Sequence, residues 1–427
     1  MSRALLLNTL IGVVFVAGVA SARGELFVLA LPFLLYLLIS LLEAPADLRL
    51  EVDRVLSAER VDANMPATVT VRVKNHGKAI AEVLVEDAVP PNLKVVTGAR
   101  RHVVWLGAGE RWEFSYAVAG PRGRYTFGGV SVTGGEGSGV FGMARQFKTA
   151  GQLFVLPQIT RVRQVAIRPR RTRVYAGSIP ARLGGSGTEF FGVRAYQAGD
   201  SPRVMNWRAS ARHPKQLYSN DFQQERVADV GIVLDGRERA NLYAGHHSLF
   251  EHSVLAAAAL CEALLQQGNR VGLLTYGGYL EWSLPGYGKQ QRERMLHTLA
   301  RAQVGASSVF SGLDHLSPRM FPVESQIVLV SPLMRGDVDA LVPLRARGYQ
   351  VFVLSPDPVA FEQRLLATSR EAGLATRLAR LERNLLIRRL QRAGILVLEW
   401  DVADPLELAV QPALRRLRYP RLVGRYV

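Results

Sequence analysis

Cysteine is almost absent from this sequence, which has one, Cys261, in 427 residues. A single cysteine excludes an intrachain disulfide and a zinc site built from several thiolates, so a small secreted scaffold held by disulfides is ruled out. Acidic residues are also scarce, because 36 Asp plus Glu face 53 Lys plus Arg, nearly all of them arginine. The formal net charge of +17 favours anionic neighbours such as lipid headgroups, nucleic acid or an acidic protein partner.

The motifs of several enzyme classes are missing as well. The sequence has no Gly-x-Ser-x-Gly elbow, no His-Glu-x-x-His helix and no Walker phosphate-binding loop. The glycine-rich run 184–187 precedes no lysine, so we interpret it as a flexible loop. A nucleophile, a base and an orienting group cannot be assembled, and the arginines follow no nucleic-acid reader motif. We therefore expect a non-enzymatic protein with no cofactor and no specific nucleic-acid partner.

The N-terminal region holds two long apolar stretches. Residues 4–22 and 26–42 carry no charge, and each approaches the length of ~20 residues that crosses a bilayer. We predict a transmembrane helical hairpin over 1–45; the alternative is a signal peptide cleaved after 20–22, which leaves the second stretch as an anchor. Arginines flank the hairpin at its open end, so the positive-inside rule predicts a cytoplasmic-membrane protein with a cytoplasmic soluble body.

Two further patterns follow along the chain. Short alternating runs separated by turn residues predict an all-β sandwich of about seven strands over 46–160. Residues 161–228 begin with an arginine-rich stretch that we interpret as a basic linker, followed by a distinctive signature segment. Residues 229–427 alternate apolar strands with helices, which predicts an α/β domain with a mostly parallel sheet.

Two features of the α/β domain matter for function. Polar side chains fall where strands are predicted to end, at Asp235 and at Ser331, and function in such sheets sits at the carboxyl ends of strands. A long helix is predicted from about 359 to 392. Its leucines at 374, 378, 381 and 385 form one stripe, which we interpret as the face that packs on the core.

The signature segment reads GGSGTEFFGVRAYQAGDSPRVMNWRASAR over 184–212. Gly199-Asp200 forms a turn, Ser201 caps a helix with Pro202 at its first position, and Arg203 and Trp207 share a helix face. Charges of alternating sign indicate an ion-pair network. Two interpretations stay open, a structural lock that ties the segment to the sheet and a surface that recognises a partner.

This segment, together with Leu217, Phe222, Glu225 and the strand ending at Asp235, resembles the bacterial and archaeal domain-of-unknown-function family 58. The resemblance implies a transmembrane hairpin and a β-rich region before the signature, and a von Willebrand factor A-like (Rossmann-like) α/β domain after it. It also implies association with AAA+ ATPases of the MoxR type, a group linked to chaperone-like maturation of other complexes.

The metal site that such a domain implies is altered in this chain. Metal-binding members carry Asp-x-Ser-x-Ser after the first strand, because a hard divalent cation needs clustered oxygen ligands. This chain has DGRER at 235–239, which places guanidinium groups where the hydroxyls belong, and Ser331-Pro332 at the later acidic position. Ser307 and Ser308 stand at the middle loop, but with Asp235 alone they make a poor site. We therefore expect no divalent metal.

The sequence thus favours a membrane-anchored, non-enzymatic interaction or scaffold protein that docks a MoxR-type AAA+ ATPase or its client and contacts membrane lipid. The alternative is a metal-dependent adhesion module that faces the cell envelope. The candidate partner-binding residues lie on the signature segment and at the strand ends. They are Glu189, Arg194, Tyr196, Asp200, Arg203, Asn206, Trp207 and Arg212, with Asp235, Ser307, Ser308 and Ser331.

Overall fold

The protein is described by a computed structural model. The described residues are 3–43, 47–135, 142–160, 162, 173–213, 215–244, 247–307, 313, 320–322, 325–367 and 369–410. The chain consists of two compact units, Met1–Leu156 and Pro157–Val427. The first unit is rich in β-sheet and the second is mixed α/β, which confirms the fold classes predicted for the two parts of the chain at this coarse level.

Two apolar helices open the first unit, α1 (Arg3–Ser21) and α2 (Gly24–Glu43). They contact each other, since the Phe15 and Phe27 rings lie 5.0 Å apart, centroid to centroid, at 76°. Most of their large apolar side chains are exposed. Among the described residues, only Leu249–Gln266 is long and apolar enough by composition to cross a membrane, and it is 67% buried; the apolar stretches Leu5–Ser21 and Gly24–Ser40 are shorter.

Eleven strands follow in the described part of the first unit, rather than about seven. They are β1 (Leu50–Leu56), β2 (Arg60–Asp62), β3 (Ala67–Asn75), β4 (Ile80–Asp87), β5 (Lys94–Thr97), β6 (Arg101–Leu106), β7 (Arg111–Ala119), β8 (Gly123–Thr126), β9 (Val130–Gly135), β10 (Gly142–Phe147) and β11 (Gln152–Leu156). They form sheets in the orders β1-β3-β7-β5, β10-β9-β4-β6 and β2-β11-β8.

The two four-stranded sheets share one core. Strand β3 buries every second side chain, as Val69, Val71 and Val73 do, and these pack in one cluster with inward residues of β4 and β9. A buried ion pair between Arg54 on β1 and Asp87 on β4 joins the two sheets. This pairing satisfies charges that would otherwise be costly to bury.

The second unit begins with a β-ribbon. Strand β12 (Arg173–Ala195) pairs antiparallel with β13 (Tyr218–Val227), and a short helix, α3 (Trp207–Arg212), lies in the connection between them. The glycines at 184–187 lie within β12, so the flexible loop predicted there is wrong. The pairing register shifts near these glycines, because residues without a β-carbon allow the strand to bulge while it stays paired.

A six-stranded sheet forms the body of the second unit, in the order β18-β17-β14-β19-β20-β21. Five strands are parallel and β18 is an antiparallel edge. The elements are β14 (Asp229–Gly236), β15 (Tyr243–Ala244), β16 (His247–Ser248), α4 (Leu249–Gln266), β17 (Arg270–Gly277), β18 (Leu280–Gly286), α5 (Gly288–Arg301), β19 (Gln326–Val330), α6 (Asp337–Ala346), β20 (Gln350–Pro356), α7 (Pro358–Gln363), α8 (Arg370–Arg392) and β21 (Leu396–Trp400).

Strand β14 is central and buried at every position, as expected of a parallel strand covered on both faces. Helix α4 is also mostly buried, so its high hydropathy reflects a core helix of this unit. The carboxyl ends of the parallel strands carry the side chains that the sequence predicted there, including Asp235 on β14 and Ser331 directly after β19.

The long helix predicted from about 359 to 392 is two helices. Asp357 caps α7 through the N–H groups of its first turn, and Ser369 caps α8 by accepting from the Ala372 N–H at 3.1 Å. The predicted packing face of α8 is also wrong. The leucine stripe points outward and is more than half exposed, whereas the opposite face is buried through Arg383, Leu386, Ile387 and Leu390.

Candidate functional site

The strand ends of β14 and β19 meet in a fully buried polar cluster. Asp235 and Ser331 are both 0% exposed, and the Ser331 hydroxyl donates to Asp235 Oδ2 at 2.6 Å. Ser331 Oγ in turn accepts from the Leu333 N–H at 3.0 Å. The parallel register of β14 and β19 brings these side chains together, because it aligns the strands' carboxyl ends at one edge.

Arg237 occupies the centre of this cluster. Its Nε and Nη2 donate to the two oxygens of Asp235 at 2.9 and 2.7 Å, and its Nη1 and Nη2 donate to the two oxygens of Asp337 at 2.8 and 2.8 Å. Asp337 is the first residue of α6 and also accepts from the Met334 N–H at 2.8 Å. Paired two-point hydrogen bonds of this kind hold the guanidinium in a single orientation.

The electrostatics follow from two buried carboxylates that share one cation. Burial works against the charge of Arg237, but hydrogen bonds to Asp235 and Asp337 outweigh it and raise the pKa of Arg237 above its ordinary value. Burial raises the pKa of the Asp337 carboxyl, and the bonds from Arg237 offset only part of this shift. The guanidinium is therefore permanently charged, and one carboxylate of the cluster is in surplus.

The middle loop also reaches the strand ends. Gly305, just before Ser307, forms a parallel bridge with Arg237, and its N–H donates to the Gly236 carbonyl at 3.0 Å. Ser308 lies outside the described residues. The space between Asp235 and Asp337 is taken by a guanidinium, and the described part of the chain contains no group of three or more His, Cys, Asp or Glu that could hold a metal ion.

A second buried arginine fastens the next strand end. Arg383, on the inner face of α8, donates to the Pro332 carbonyl at 2.9 Å, to Ser355 Oγ at 2.9 Å and to Glu399 Oε1 at 2.8 Å. It therefore links the loop after β19, the end of β20 and the edge strand β21. Together, Arg237 and Arg383 fix the loops on the carboxyl side of the sheet.

Sequence reasoning did not find the two arginines' roles or the part played by Asp337. The DGRER run by itself indicates only the loss of hydroxyl ligands, and Asp337 lies 100 residues away from Arg237 in the chain. The sequence does contain one indication of this role. Arg237 comes directly after a strand of apolar residues, and a positive charge at such a position needs a buried carboxylate partner.

In the signature segment the structure joins several predicted residues. Arg194 donates to both oxygens of Asp200, at 2.9 and 2.7 Å, and Asp200 also accepts from the Gln197 N–H and from Ser219 Oγ. The bond to Arg194, the Gln197 N–H and Ser219 together hold the pKa of Asp200 well below its usual range, and the bond to Asp200 raises the pKa of Arg194. These contacts fasten the turn before α3 onto β13.

Asn206 completes this local frame. Its Oδ1 caps α3 by accepting from the Ala209 N–H at 2.9 Å, and its Nδ2 donates to Asn220 Oδ1 at 2.7 Å. Ser201 caps a short 3-10 helix, Pro202–Val204, as predicted. Arg203 belongs to that turn and Trp207 to α3, so the prediction that they share one helix face is wrong, because Met205 between them is extended.

Exposed side chains, three of them aromatic, lie on the elements that this frame joins. Trp207 is 65% exposed, and Tyr196 and the apolar Leu217 beside it are also exposed; the Tyr196 N–H donates to the Leu217 carbonyl at 2.8 Å. Phe190 and Val193, on β12, are exposed as well, and so are Arg203, Arg208 and Arg212. We call these residues the signature surface. Glu189 lies on β12, but the structure describes only its backbone.

Buried and exposed candidates thus separate into two groups. Asp235 and Ser331 have no exposed side chain, so any effect they have on a partner must act through the loops that they hold. Arg203, Trp207, Tyr196 and Arg212 are directly accessible.

Comparison with known proteins agrees with the resemblance over part of the second unit. Residues 192–356 match the family described as protein of unknown function DUF58. The chain is similar to an uncharacterized Bacillus subtilis protein, YeaD, with 26% identity over 67% of this chain and 70% of that one. It is also similar to an uncharacterized Mycobacterium tuberculosis protein, Rv1480, with 25% identity over 44% of this chain and 59% of that one.

Similar solved structures cover about a quarter of the chain. The CARDB domain of a Pyrococcus furiosus protein has a TM-score of 0.20 and 20% identity, covering 27% of this chain and 97% of that one. A PapD-like domain of human CEP192 has a TM-score of 0.19 and 14% identity, covering 26% of this chain and 89% of that one.

Proposed function

We propose that this chain is a membrane-anchored, non-enzymatic interaction protein and that the signature surface is where it binds its partner. The observation that carries the proposal is the exposure of Trp207, Tyr196 and Phe190 on a segment that also carries exposed arginines. Aromatic residues and arginine dominate the binding energy of protein interfaces, and large exposed apolar groups rimmed by polar residues mark interaction sites.

The frame beneath this surface supports a recognition role. Arg194, Asp200 and Asn206 fix the turn and α3 through hydrogen bonds to neighbouring strands. A surface that is already ordered loses little conformational entropy on binding. The structural-lock and recognition interpretations of the segment are therefore complementary, since the lock holds the side chains that bind.

The partner that the family resemblance suggests is an AAA+ ATPase of the MoxR type, or a client of that ATPase. We infer that the α/β sheet is a von Willebrand factor A-like domain in which Arg237 takes the position of the metal ion. Support comes from Asp235 at the end of the first strand of the sheet and Ser331 after the neighbouring strand. Such a domain binds without a divalent ion.

The membrane anchor is the apolar pair α1 and α2, which we propose to cross the cytoplasmic membrane as a hairpin with the soluble body in the cytoplasm. Their exposed leucines and valines support a lipid-facing role. The β-rich part of the first unit acts as a sandwich-like spacer. Reporter fusions at both termini test the orientation, and active cytoplasmic reporters at both ends are expected.

The test is an affinity pull-down of the detergent-solubilised full-length chain from its own host, with a slowly hydrolysed ATP analogue and mass spectrometry. We expect recovery of an AAA+ ATPase, loss of that recovery with Trp207→Ala or Arg203→Glu, and unchanged thermal unfolding, because both side chains are exposed. Trp105→Ala is the matched control, since Trp105 is 61% exposed in the first unit. Equal recovery with Trp207→Ala, or recovery of wall components alone, contradicts the proposal.

A further inference from the structure

Helix α8 carries an exposed apolar stripe that the signature surface does not include. Leu374, Leu378, Leu381 and Leu385 are 57%, 60%, 62% and 59% exposed. Their spacing of four, three and four residues places them on one side of the helix within an arc of about 60°, given 100° per residue. Four half-exposed leucines in one line are unusual on the surface of a soluble unit.

The opposite side of α8 fixes this orientation. Leu386, Ile387 and Leu390 are buried in the core of the second unit, and Arg383, about one turn before them, donates hydrogen bonds to Pro332, Ser355 and Glu399. Turning the stripe inward would break these contacts and expose a buried charge network. The leucines therefore face outward as part of the folded state.

The geometry of the stripe favours a helix as its occupant. Alternating steps of four and three residues are the spacing of the a and d positions in a coiled coil, whose seam is narrow. A helix that lies in a lipid surface instead buries a whole apolar face in the boundary between headgroups and acyl chains, which is more than four leucines in a narrow arc provide. From Leu374 to Leu385 the seam runs about 16 Å, which fits about three turns of a partner helix.

The charges beside the stripe favour an acidic partner helix over a second copy of α8. Five exposed arginines lie on this helix, at 370, 377, 388, 389 and 392, against Glu371 and Glu382, and Glu382 pairs with Arg335. A second copy of α8 would bring arginines against arginines across the seam, which is unfavourable at flanking positions. An acidic helix would complement them.

We propose that the leucine stripe of α8 is the docking site for an acidic amphipathic helix of a partner protein, with leucine-like residues in the seam and carboxylates against the arginines. This inference is independent of the signature surface. It assigns the chain a second interaction surface on another element of the same unit.

The experiment uses the full chain in phosphatidylcholine nanodiscs and two fluorescent 21-residue designed helices. Both peptides have Leu at a and d; one has Glu at the e and g positions and the other has Lys. Fluorescence anisotropy is expected to show micromolar binding of the Glu peptide and at least tenfold weaker binding of the Lys peptide. Salt is expected to weaken the Glu complex.

Variants locate the site. Leu378→Glu with Leu381→Glu is expected to weaken the Glu peptide at least tenfold without changing thermal unfolding, since both leucines are exposed. Leu408→Glu is the matched control, because Leu408 is 65% exposed outside α8, and it should leave the affinity unchanged. Arg377→Glu with Arg388→Glu should reverse the preference towards the Lys peptide, a result that misfolding cannot produce.

Three outcomes overturn the inference. Equal binding of the two peptides contradicts the acidic partner, and binding that survives the leucine changes contradicts the stripe. The third outcome is that the Glu peptide fails to bind and the leucine variant loses another interaction instead. Loss of self-association assigns the stripe to a second copy of the chain, and loss of binding to phosphatidylglycerol vesicles assigns it to lipid. Trp207→Ala should not affect peptide binding. A failure of this inference can therefore be distinguished from a failure of the proposed function.

Discussion

At the scale of single residues, Arg237 is the group on which the strand-end loops depend. Its guanidinium satisfies two buried carboxylates, from β14 and from α6, with hydrogen bonds of 2.7 to 2.9 Å. A buried charge is tolerated only when it is paired with an opposite charge. The three side chains are therefore stable together, and removing any one of them leaves an unpaired buried charge that destabilises the fold. This explains why an arginine follows directly after a wholly buried strand.

Arg237→Ala is expected to lower the free energy of unfolding of the second unit by about 3–5 kcal/mol, because it leaves two buried carboxylates without a cation. Urea unfolding followed by circular dichroism measures the loss. Arg239→Ala, an exposed neighbour, is the matched control and should change stability by less than about 0.5 kcal/mol. A comparable loss in both variants would contradict the role assigned to Arg237.

A divalent cation should partly rescue Arg237→Ala. The change leaves the oxygens of Asp235, Asp337 and Ser331 around a vacated position, and hard cations bind clusters of carboxylate and hydroxyl oxygens. Millimolar magnesium is expected to raise the melting temperature of the variant and leave that of the wild type unchanged. Calorimetry that finds micromolar magnesium binding to the wild-type chain would overturn this prediction and favour the adhesion alternative.

Asp200 gives the signature segment a defined pH dependence. Its pKa is held below the usual range, chiefly by Arg194. A carboxylate with a lowered folded-state pKa stabilises the fold above its unfolded-state pKa of about 3.9 and loses that effect as the pH falls through the folded-state value. Asp200→Asn should therefore destabilise the chain at pH 7, and its difference from wild type should shrink below about pH 4.

Urea unfolding at pH 7 and at about pH 3 measures that difference. Asp404→Asn, at an exposed turn residue, serves as the control. A difference between Asp200→Asn and wild type that stays constant with pH would show that the asparagine acts by shape and not by charge.

At the scale of elements, substitutions at two glycines measure how closely the neighbouring elements pack. A β-carbon at Gly277, on β17, would lie 2.4 Å from the Gly236 backbone of β14, whereas one at Gly373, on α8, would meet nothing within 4 Å. Gly277→Ala should destabilise by about 1–3 kcal/mol through overpacking, and Gly373→Ala should stabilise by roughly 0.5–1 kcal/mol through higher helix propensity. Thermal unfolding of the two variants should move in opposite directions, and equal shifts would contradict the strand spacing.

The same elements show what sequence patterns can predict. Strand β19 was predicted with its observed bounds, because a short apolar run in an alternating strand and helix order has few other interpretations. The helical conformation of α8 was predicted correctly, but the face that packs on the core was predicted wrongly. It has two apolar stripes, and the choice between them depends on Arg383 reaching Pro332, Ser355 and Glu399, which no local periodicity encodes.

The candidate site was predictable in the same partial way. The carboxyl-end positions of Asp235 and Ser331 followed from the strand pattern, but their contact depends on β14 pairing with β19, which the pattern does not specify. The participation of Asp337 depends on a loop and a helix start that the sequence does not distinguish from other acidic helix starts. Exposure of Trp207 also depends on tertiary packing, because tryptophan is more often buried than exposed.

At the scale of the whole molecule, the apolar pair α1 and α2 makes a prediction about location. The full chain is expected to stay with membranes after alkaline carbonate washing and to be released by detergent. A variant lacking 3–43 should move to the soluble fraction. Leu10→Arg with Leu35→Arg should weaken retention without shortening the chain, because each arginine costs about 2.5–3.5 kcal/mol at a helix centre in lipid. Full retention of both variants would contradict the anchor.

The pairing of Arg237 with Asp337 also has a consequence for biosynthesis. The two residues lie 100 positions apart, and at 5–20 residues per second the ribosome adds Asp337 about 5–20 s after Arg237. During this interval β14 lacks its neighbour β19, so one edge of a strand that is buried at every position in the finished sheet has no hydrogen-bonding partner. The buried strand-end cluster can therefore form only after the start of α6 has been synthesised.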